Sequence, residues 1–149
     1  MMMKSRTLFF IAIGLLILGI ALFTFSRRNQ EPEQVFPATI NRDCAPWDGS
    51  AFTVSVQMDG GTVIDISIWQ APDIKFSKTF LFPDDTGQVG NASLLLANGE
   101  YEALSGEVRF EGVSQGMPIE GRFSLKSERG GVYVGRFEAE WSSQVVMCG

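Results

Sequence analysis

The residues of this chain that could do chemistry are mainly carboxylates, because it has no histidine and only two cysteines. Without histidine the chain cannot form a Ser-His-Asp triad, a Cys-His pair or a histidine-containing zinc site. Two cysteines are too few for a four-cysteine zinc site, and they are not spaced as a C-x-x-C redox pair. The sequence also has no phosphate-binding loop and no dinucleotide fingerprint. We therefore predict no enzymatic activity, no catalytic residue, no cofactor and no metal site.

Two neighbouring carboxylates, Asp84 and Asp85, lie in the run Asp84-Asp85-Thr86-Gly87. A calcium ion needs six or more oxygen ligands, and this run is too short to specify such a site. A solvated acidic turn is the simpler interpretation. Two of the seventeen acidic residues could serve as acid and base on a sugar, but the sequence singles out no pair. A carboxylate-based envelope hydrolase is therefore the least favoured alternative.

Trp47 and Trp69 are the second feature that could bind something. Trp69 is out of phase with the three alternating isoleucines that precede it, which predicts that its side chain is exposed. An exposed tryptophan forms a patch for a partner or covers an open sheet edge. Together with Asp84 and Asp85, the two tryptophans form the predicted partner surface.

These residues must be held by the elements around them, and the first element is apolar. Residues 8–25 contain eighteen uncharged residues in a row, thirteen of them Leu, Ile or Phe. A helix of this length spans about 27 Å, close to the thickness of a bilayer core. Residues 1–7 are a short basic tail, and no Ala-x-Ala cleavage site follows the apolar run. The pattern predicts an uncleaved transmembrane signal anchor, with the lipid bilayer as the partner of residues 8–25.

Residues 26–43 are polar and contain prolines, which predicts a linker before a domain at residues 44–149. Residues 1–28 carry four basic residues and no acid, so the remaining eight basic and seventeen acidic residues give residues 29–149 a net charge of −9. A phosphate-binding surface needs clustered Lys and Arg. We therefore predict that nucleic acid is not a partner.

From residue 44 the hydrophobic pattern has a period of two, which is typical of half-buried strands. Turn residues such as Asp59-Gly60-Gly61 and Asn98-Gly99 separate the alternating segments. The alternation predicts strands at residues 52–58, 62–70, 74–82, 92–97, 101–112, 118–126, 131–141 and 144–148. Glycines at positions 106, 121 and 135 fall on the inward face, which indicates strand curvature or room for a large neighbour.

Short connections between the predicted strands imply antiparallel neighbours. The predicted fold class is all-β, a single small antiparallel meander that forms a barrel or a two-sheet sandwich of about eight strands. In a closed meander with an even number of strands, the first and last strands are antiparallel neighbours. Cys44 and Cys148 would then meet and form a disulfide, which favours an oxidising compartment; two reduced, buried thiols are the alternative.

The anchor, the predicted disulfide and the lack of catalytic groups together predict the function. We expect a single-pass membrane protein whose β domain lies outside the cytoplasm, in the periplasm or at the cell surface. There it acts as a non-enzymatic binding or interaction module for an envelope component. The alternative is a carrier that holds a small lipophilic ligand in a barrel cavity lined by the many inward-facing phenylalanines.

Overall fold

The computed structural model describes residues 33–71, 76–113 and 116–148. The predicted anchor at residues 8–25 and the basic tail at residues 1–7 lie outside the described residues. Within the described part of the chain, no helix has the length and apolar character needed to cross a bilayer. From Gln34 onward the chain forms one structural unit.

The described residues form an all-β structure of eight strands with one short 3-10 turn at Asp59–Gly61. The strands are β1 Val35–Cys44, β2 Ser50–Gln57, β3 Val63–Ile68, β4 Phe76–Phe82, β5 Gly90–Leu95, β6 Tyr101–Val113, β7 Ile119–Ser127 and β8 Val132–Trp141. Seven of the eight predicted strands coincide with β2 to β8. The alternation of apolar and polar residues therefore located these strands correctly.

Seven of these strands close into a barrel, in the order β1-β2-β3-β5-β6-β7-β8 and back to β1. The long strand β6 makes this possible because it has three neighbours. Its first residues pair with β5, its middle pairs with β7, and its second half pairs with β4 along the edge that β5 has left. The barrel interpretation is therefore correct, and β4 is an additional strand beside the ring.

Strand β1 corrects the prediction that residues 26–43 are a linker, because Val35–Cys44 lies in the barrel wall. Phe36, Ala38 and Ile40 alternate as buried residues along it. The strand contains Pro37, which has no N–H group to donate. Gln34 O and Ile40 O accept hydrogen bonds from the N–H groups of Arg136 and Ser142. The backbone N–H and C=O groups of the even-numbered residues of β1 are therefore directed towards β8. The nitrogen of Pro37 therefore points away from β8, and pairing with β2 begins only at Ala38.

The closure of the barrel is a second correction, since β1 and β8 are parallel neighbours. An odd number of strands forms the ring, so the first and last run in the same direction. Residues 144–148 were predicted to be a strand, but they follow β8 and do not form one. Both cysteines consequently lie beyond the same end of the β1–β8 pair.

The disulfide between Cys44 and Cys148 is confirmed, with an S–S distance of 2.08 Å and a Cα–Cα distance of 5.6 Å. The predicted reason for it was wrong, because the ring has an odd rather than an even number of strands. Cys44 is the last residue of β1, and the segment after β8 brings Cys148 back to it. The bond thus clamps the two strands that close the barrel.

Phenylalanine rings fill the middle of the barrel. Phe110 is fully buried, and its ring centroid lies 5.8 Å from that of Phe52, 5.6 Å from that of Phe80 and 5.7 Å from that of Phe137. Edge-to-face contacts at these distances add about 0.5–1.5 kcal/mol each beyond the burial of apolar area. The core is therefore a continuous network of contacting rings.

Gly121 and Gly135 leave space for these rings, as the sequence indicated, whereas Gly106 lies against the backbone of β7 with a φ of +137°. A Cβ atom on Gly121 would lie 2.7 Å from Cε1 of Phe137 and 2.8 Å from the carbonyl oxygen of Arg109. A Cβ atom on Gly135 would lie 2.5 Å from Cε2 of Phe36. Each glycine thus allows a phenylalanine from an adjacent strand to lie directly against the backbone.

We predict that Gly121→Ala lowers the free energy of unfolding by about 2–4 kcal/mol, because the new methyl group overlaps the Phe137 ring and a neighbouring carbonyl. Ser124→Ala is the matched control on the same strand, and its exposed side chain should change stability by less than about 0.5 kcal/mol. Urea unfolding of the full chain in detergent, followed by near-UV circular dichroism, measures both. Equal stabilities of the two variants would contradict the packing described.

The disulfide closes a loop with a sequence separation of 104 residues. On the chain-entropy model, removing such a cross-link costs about 4.7 kcal/mol. We therefore expect the double variant Cys44→Ser, Cys148→Ser to unfold at a much lower urea concentration than the oxidised chain. Under reducing conditions the difference between the two proteins should disappear. A difference that persists after full reduction would show that the substitutions, and not the loss of the cross-link, caused the effect.

Candidate functional site

Trp47 lies at the tip of the turn that joins β1 to β2, and 53% of its surface is exposed. The N–H of Asp48 donates to Ala45 O at 3.0 Å, and the N–H of Ala45 donates to Gly49 O at 2.7 Å. Asp48 has a φ of +62°, a conformation that aspartate tolerates better than most residues. The turn is held further by the disulfide at the preceding residue, Cys44. An exposed indole is thus presented on a rigid support.

Trp69 directly follows β3, and its ring meets Trp47 edge to face with centroids 5.5 Å apart and planes at 85°. The backbone N–H of Trp69 donates to Val89 O at 2.9 Å, so the β3–β5 ladder extends to this residue. Trp69 continues the outward-facing phase of Asp65 and Ser67. It is half-buried, whereas the sequence predicted exposure. The contact between the two indoles was not predicted, because no local pattern links a turn to the end of a strand.

The acidic run is built into the loop at residues 83–89. The Asp84 carboxylate accepts hydrogen bonds from the Thr86 hydroxyl, from the Thr86 N–H at 3.2 Å and from the Gln88 N–H at 3.4 Å. These bonds, that from the Thr86 hydroxyl above all, hold the pKa of Asp84 below its ordinary value of 3.8. Asp84 therefore stabilises the loop from within, while Asp85 is exposed.

The four predicted surface residues lie on neighbouring segments. Trp47 and Trp69 touch, and Trp69 is hydrogen-bonded to Val89, the last residue of the loop that Asp84 organises. The turn carrying Trp47 lies at the end of the barrel where β1 ends and the disulfide closes, which we call the distal end. The opposite, proximal end is where the chain begins β1. It carries the turns at residues 58–62, 96–100 and 127–131.

Two residues that support the distal end were not singled out in the sequence. A Cβ atom on Gly49 would lie 2.8 Å from Nε1 of Trp47, so the absence of a side chain there lets the indole lie over the turn. Trp141, at the end of β8, donates from its indole N–H to Met117 O at 2.9 Å. This bond connects the end of β8 to the segment that leads into β7. The run Ala45-Pro46-Trp47-Asp48-Gly49 is a recognisable turn signal that could have located the first of these.

The described residues contain no group of three or more His, Cys, Asp or Glu side chains that could hold a metal ion. The recorded bonds of Asp84 are to donors of its own loop, which is the chemistry of a turn cap. The distal end carries the aromatic surface of Trp47 and Trp69 beside the loop that Asp84 organises.

Comparison of the chain with protein-family models, with curated proteins and with solved structures gave no match.

We predict that Asp84→Ala loosens the loop at residues 83–89, because it removes the acceptor of the Thr86 N–H and one of the two acceptors of the Gln88 N–H. The other acceptor of Gln88 is the Thr86 hydroxyl, which itself donates to Asp84. The exchange of both amide hydrogens should accelerate several-fold, as measured by NMR. Asp85→Ala is the matched control and should leave their exchange unchanged. Equal exchange in the two variants would contradict the role given to Asp84.

The same loop should depend on pH with a definite sign. Because the pKa of Asp84 is lowered on folding, its contribution to loop order is fully present above pH 3.8, the ordinary pKa. The contribution is lost as the pH falls through the lower pKa of the folded state. Exchange at Thr86, corrected for its intrinsic pH dependence, should therefore rise at acid pH in the parent chain and stay flat in Asp84→Ala. A loop that loosens at higher pH instead would contradict this account.

Proposed function

We propose that this chain is a single-pass membrane protein whose β-barrel acts outside the cytoplasm as a non-enzymatic binding module of the cell envelope. The apolar composition and the length of residues 8–25 support the anchor. The Cys44–Cys148 disulfide supports an oxidising compartment, since such bonds persist in secreted and extracytoplasmic proteins. The apolar run and the disulfide are independent features, and both support a location of the β-barrel outside the cytoplasm.

The observation that carries the binding role is the tryptophan pair at the distal end. An exposed, rigidly supported indole is typical of the few residues that contribute most of the affinity at interfaces. Trp47 is held by its turn, by the neighbouring disulfide and by contact with Trp69. Ordering it on binding therefore costs little conformational entropy.

The alternative of a lipophilic-ligand carrier needs space inside the barrel. Phe52, Phe80 and Phe137 surround Phe110 at ring-contact distances, and all four are nearly or fully buried. This packing gives the carrier no support. The envelope hydrolase gains no support from Asp84, because the hydrogen bonds of its carboxylate are those of a turn cap.

A photo-crosslinking amino acid with an aromatic side chain, which keeps an aromatic ring at position 47, tests the binding role when the full chain is expressed in the membranes of its source cells. We expect adducts of defined mass from position 47 after irradiation. The matched control places the same amino acid at position 128, an exposed turn residue at the proximal end. Position 128 should give no adduct or different ones. No adduct at position 47, or the same adducts at both positions, would contradict a binding surface at the distal end.

A further inference from the structure

The outer face of β1, β2, β3 and β5 carries short polar side chains in two cross-strand rows. The first row, in direct register, is Asn41, Thr53, Ser67 and Asn91. The second row, also in register, is Thr39, Ser55, Asp65 and Ser93. With strands about 4.8 Å apart, each row extends about 14 Å across the barrel surface. We call these two rows the polar wall.

The opposite side of the barrel has a different composition. On β6, β7 and β8 the outer face has one row of arginines, Arg109, Arg122 and Arg136, in register. The acids Glu111, Glu120 and Glu138 lie two residues away from these arginines along the same strands. Ion pairs at 3.4 Å join Arg122 to Glu111 and Arg136 to Glu120. Such mixed charges are the usual composition of a solvated surface.

The polar wall contains no Lys, Arg or Glu, and its one charged residue is already bonded. Asp65 accepts a hydrogen bond from the Ser55 hydroxyl at 2.6 Å. The depletion of charged residues is a feature that this wall shares with the centres of interaction surfaces. Because the wall has no cation, it offers nothing to an anionic polymer.

Hydroxyl groups on the wall are held in place by their neighbours. Thr53 Oγ1 lies 2.9 Å from Ser67 Oγ and 3.0 Å from a carboxylate oxygen of Asp43. A hydroxyl has one donor and two acceptor positions. The Thr53 hydroxyl donates to Asp43 and the Ser55 hydroxyl donates to Asp65, so these two retain acceptor positions, while the side-chain amides of Asn41 and Asn91 carry both donors and acceptors. Such an array suits a ligand whose groups both donate and accept, which is a polyhydroxyl compound.

The tryptophan pair adjoins this array. Trp69 lies two residues beyond Ser67 in the outward phase of β3, and it contacts Trp47. The negative face of an indole attracts polarised C–H groups such as those on the apolar face of a sugar ring. Aromatic surface beside hydroxyl and amide groups therefore matches the two faces of a sugar.

We infer that the polar wall and the tryptophan pair together bind a neutral polysaccharide, whose rings stack on Trp47 or Trp69 and whose hydroxyls bond to Asn41, Thr53, Ser67 and Asn91. This inference rests on the proposed binding function and names its ligand class. A cationic peptide is the competing ligand. The wall offers such a peptide the carboxylate of Asp65 and that of the adjoining Asp43, beside seven neutral polar side chains.

The test uses the full chain in detergent micelles, applied to chitin, to cellulose and to poly-lysine resin. Chitin and cellulose are neutral polysaccharides with and without acetamido groups. Asn91→Lys places a charge on the wall at an exposed position, and Trp47→Ala removes the exposed indole. Ser124→Lys is the matched control, since it adds the same charge to an exposed outward position of β7. Circular dichroism confirms that each variant is folded.

We expect retention of the parent chain on chitin or cellulose, reduced at least about tenfold by Asn91→Lys and by Trp47→Ala. Ser124→Lys should change retention by less than about twofold, because the β7 face lies outside the wall. Retention on poly-lysine alone, retention on neither polysaccharide, or equal losses in Asn91→Lys and Ser124→Lys would each overturn the inference. Adducts at position 47 without polysaccharide retention would overturn the ligand class and leave the binding function standing.

Discussion

The structure depends on one pairing, the parallel ladder between β1 and β8. Without it the sheet would have open edges on β1 and β8, and open edges are sites of unwanted association. The ladder joins the first and last strands, which are the most distant in sequence and therefore the most costly in entropy to bring together. The Cys44–Cys148 bond lies at the end of this pair and opposes that cost. Closure and cross-link thus act on the same two strands.

The closed ring then positions the core and the candidate site. Phe36 on β1 packs against Phe123 on β7, with ring centroids 5.9 Å apart, and Gly135 leaves the space that Phe36 occupies. The same strand ends at Cys44, directly before the turn that presents Trp47. A single strand therefore completes the barrel, contributes to the ring network and supports the distal end.

Much of this architecture could be predicted from the sequence. Period-two alternation located β2 to β8, and inward-facing Gly121 and Gly135 indicated large neighbours, which proved to be Phe137 and Phe36. Strand β1 was missed because Pro37 suggests a break, although its nitrogen points away from β8. The number of strands in the ring could not be read from local patterns, so the parallel closure was missed although the disulfide was predicted. The contact between Trp47 and Trp69 joins a turn to a strand end and has no local signal either.

Hydrogen exchange along β1 tests the closure most directly. If β1 completes the barrel, the N–H groups of Ala38 and Ile40 bond to β8, and their exchange should be as slow as that of central residues such as Val54. Reduction of the disulfide should accelerate exchange at Ala38 and Ile40 before it affects Val54. Rapid exchange along Val35–Cys44 in the oxidised chain would contradict the account, since it would mean that this segment is a linker and the ring is open.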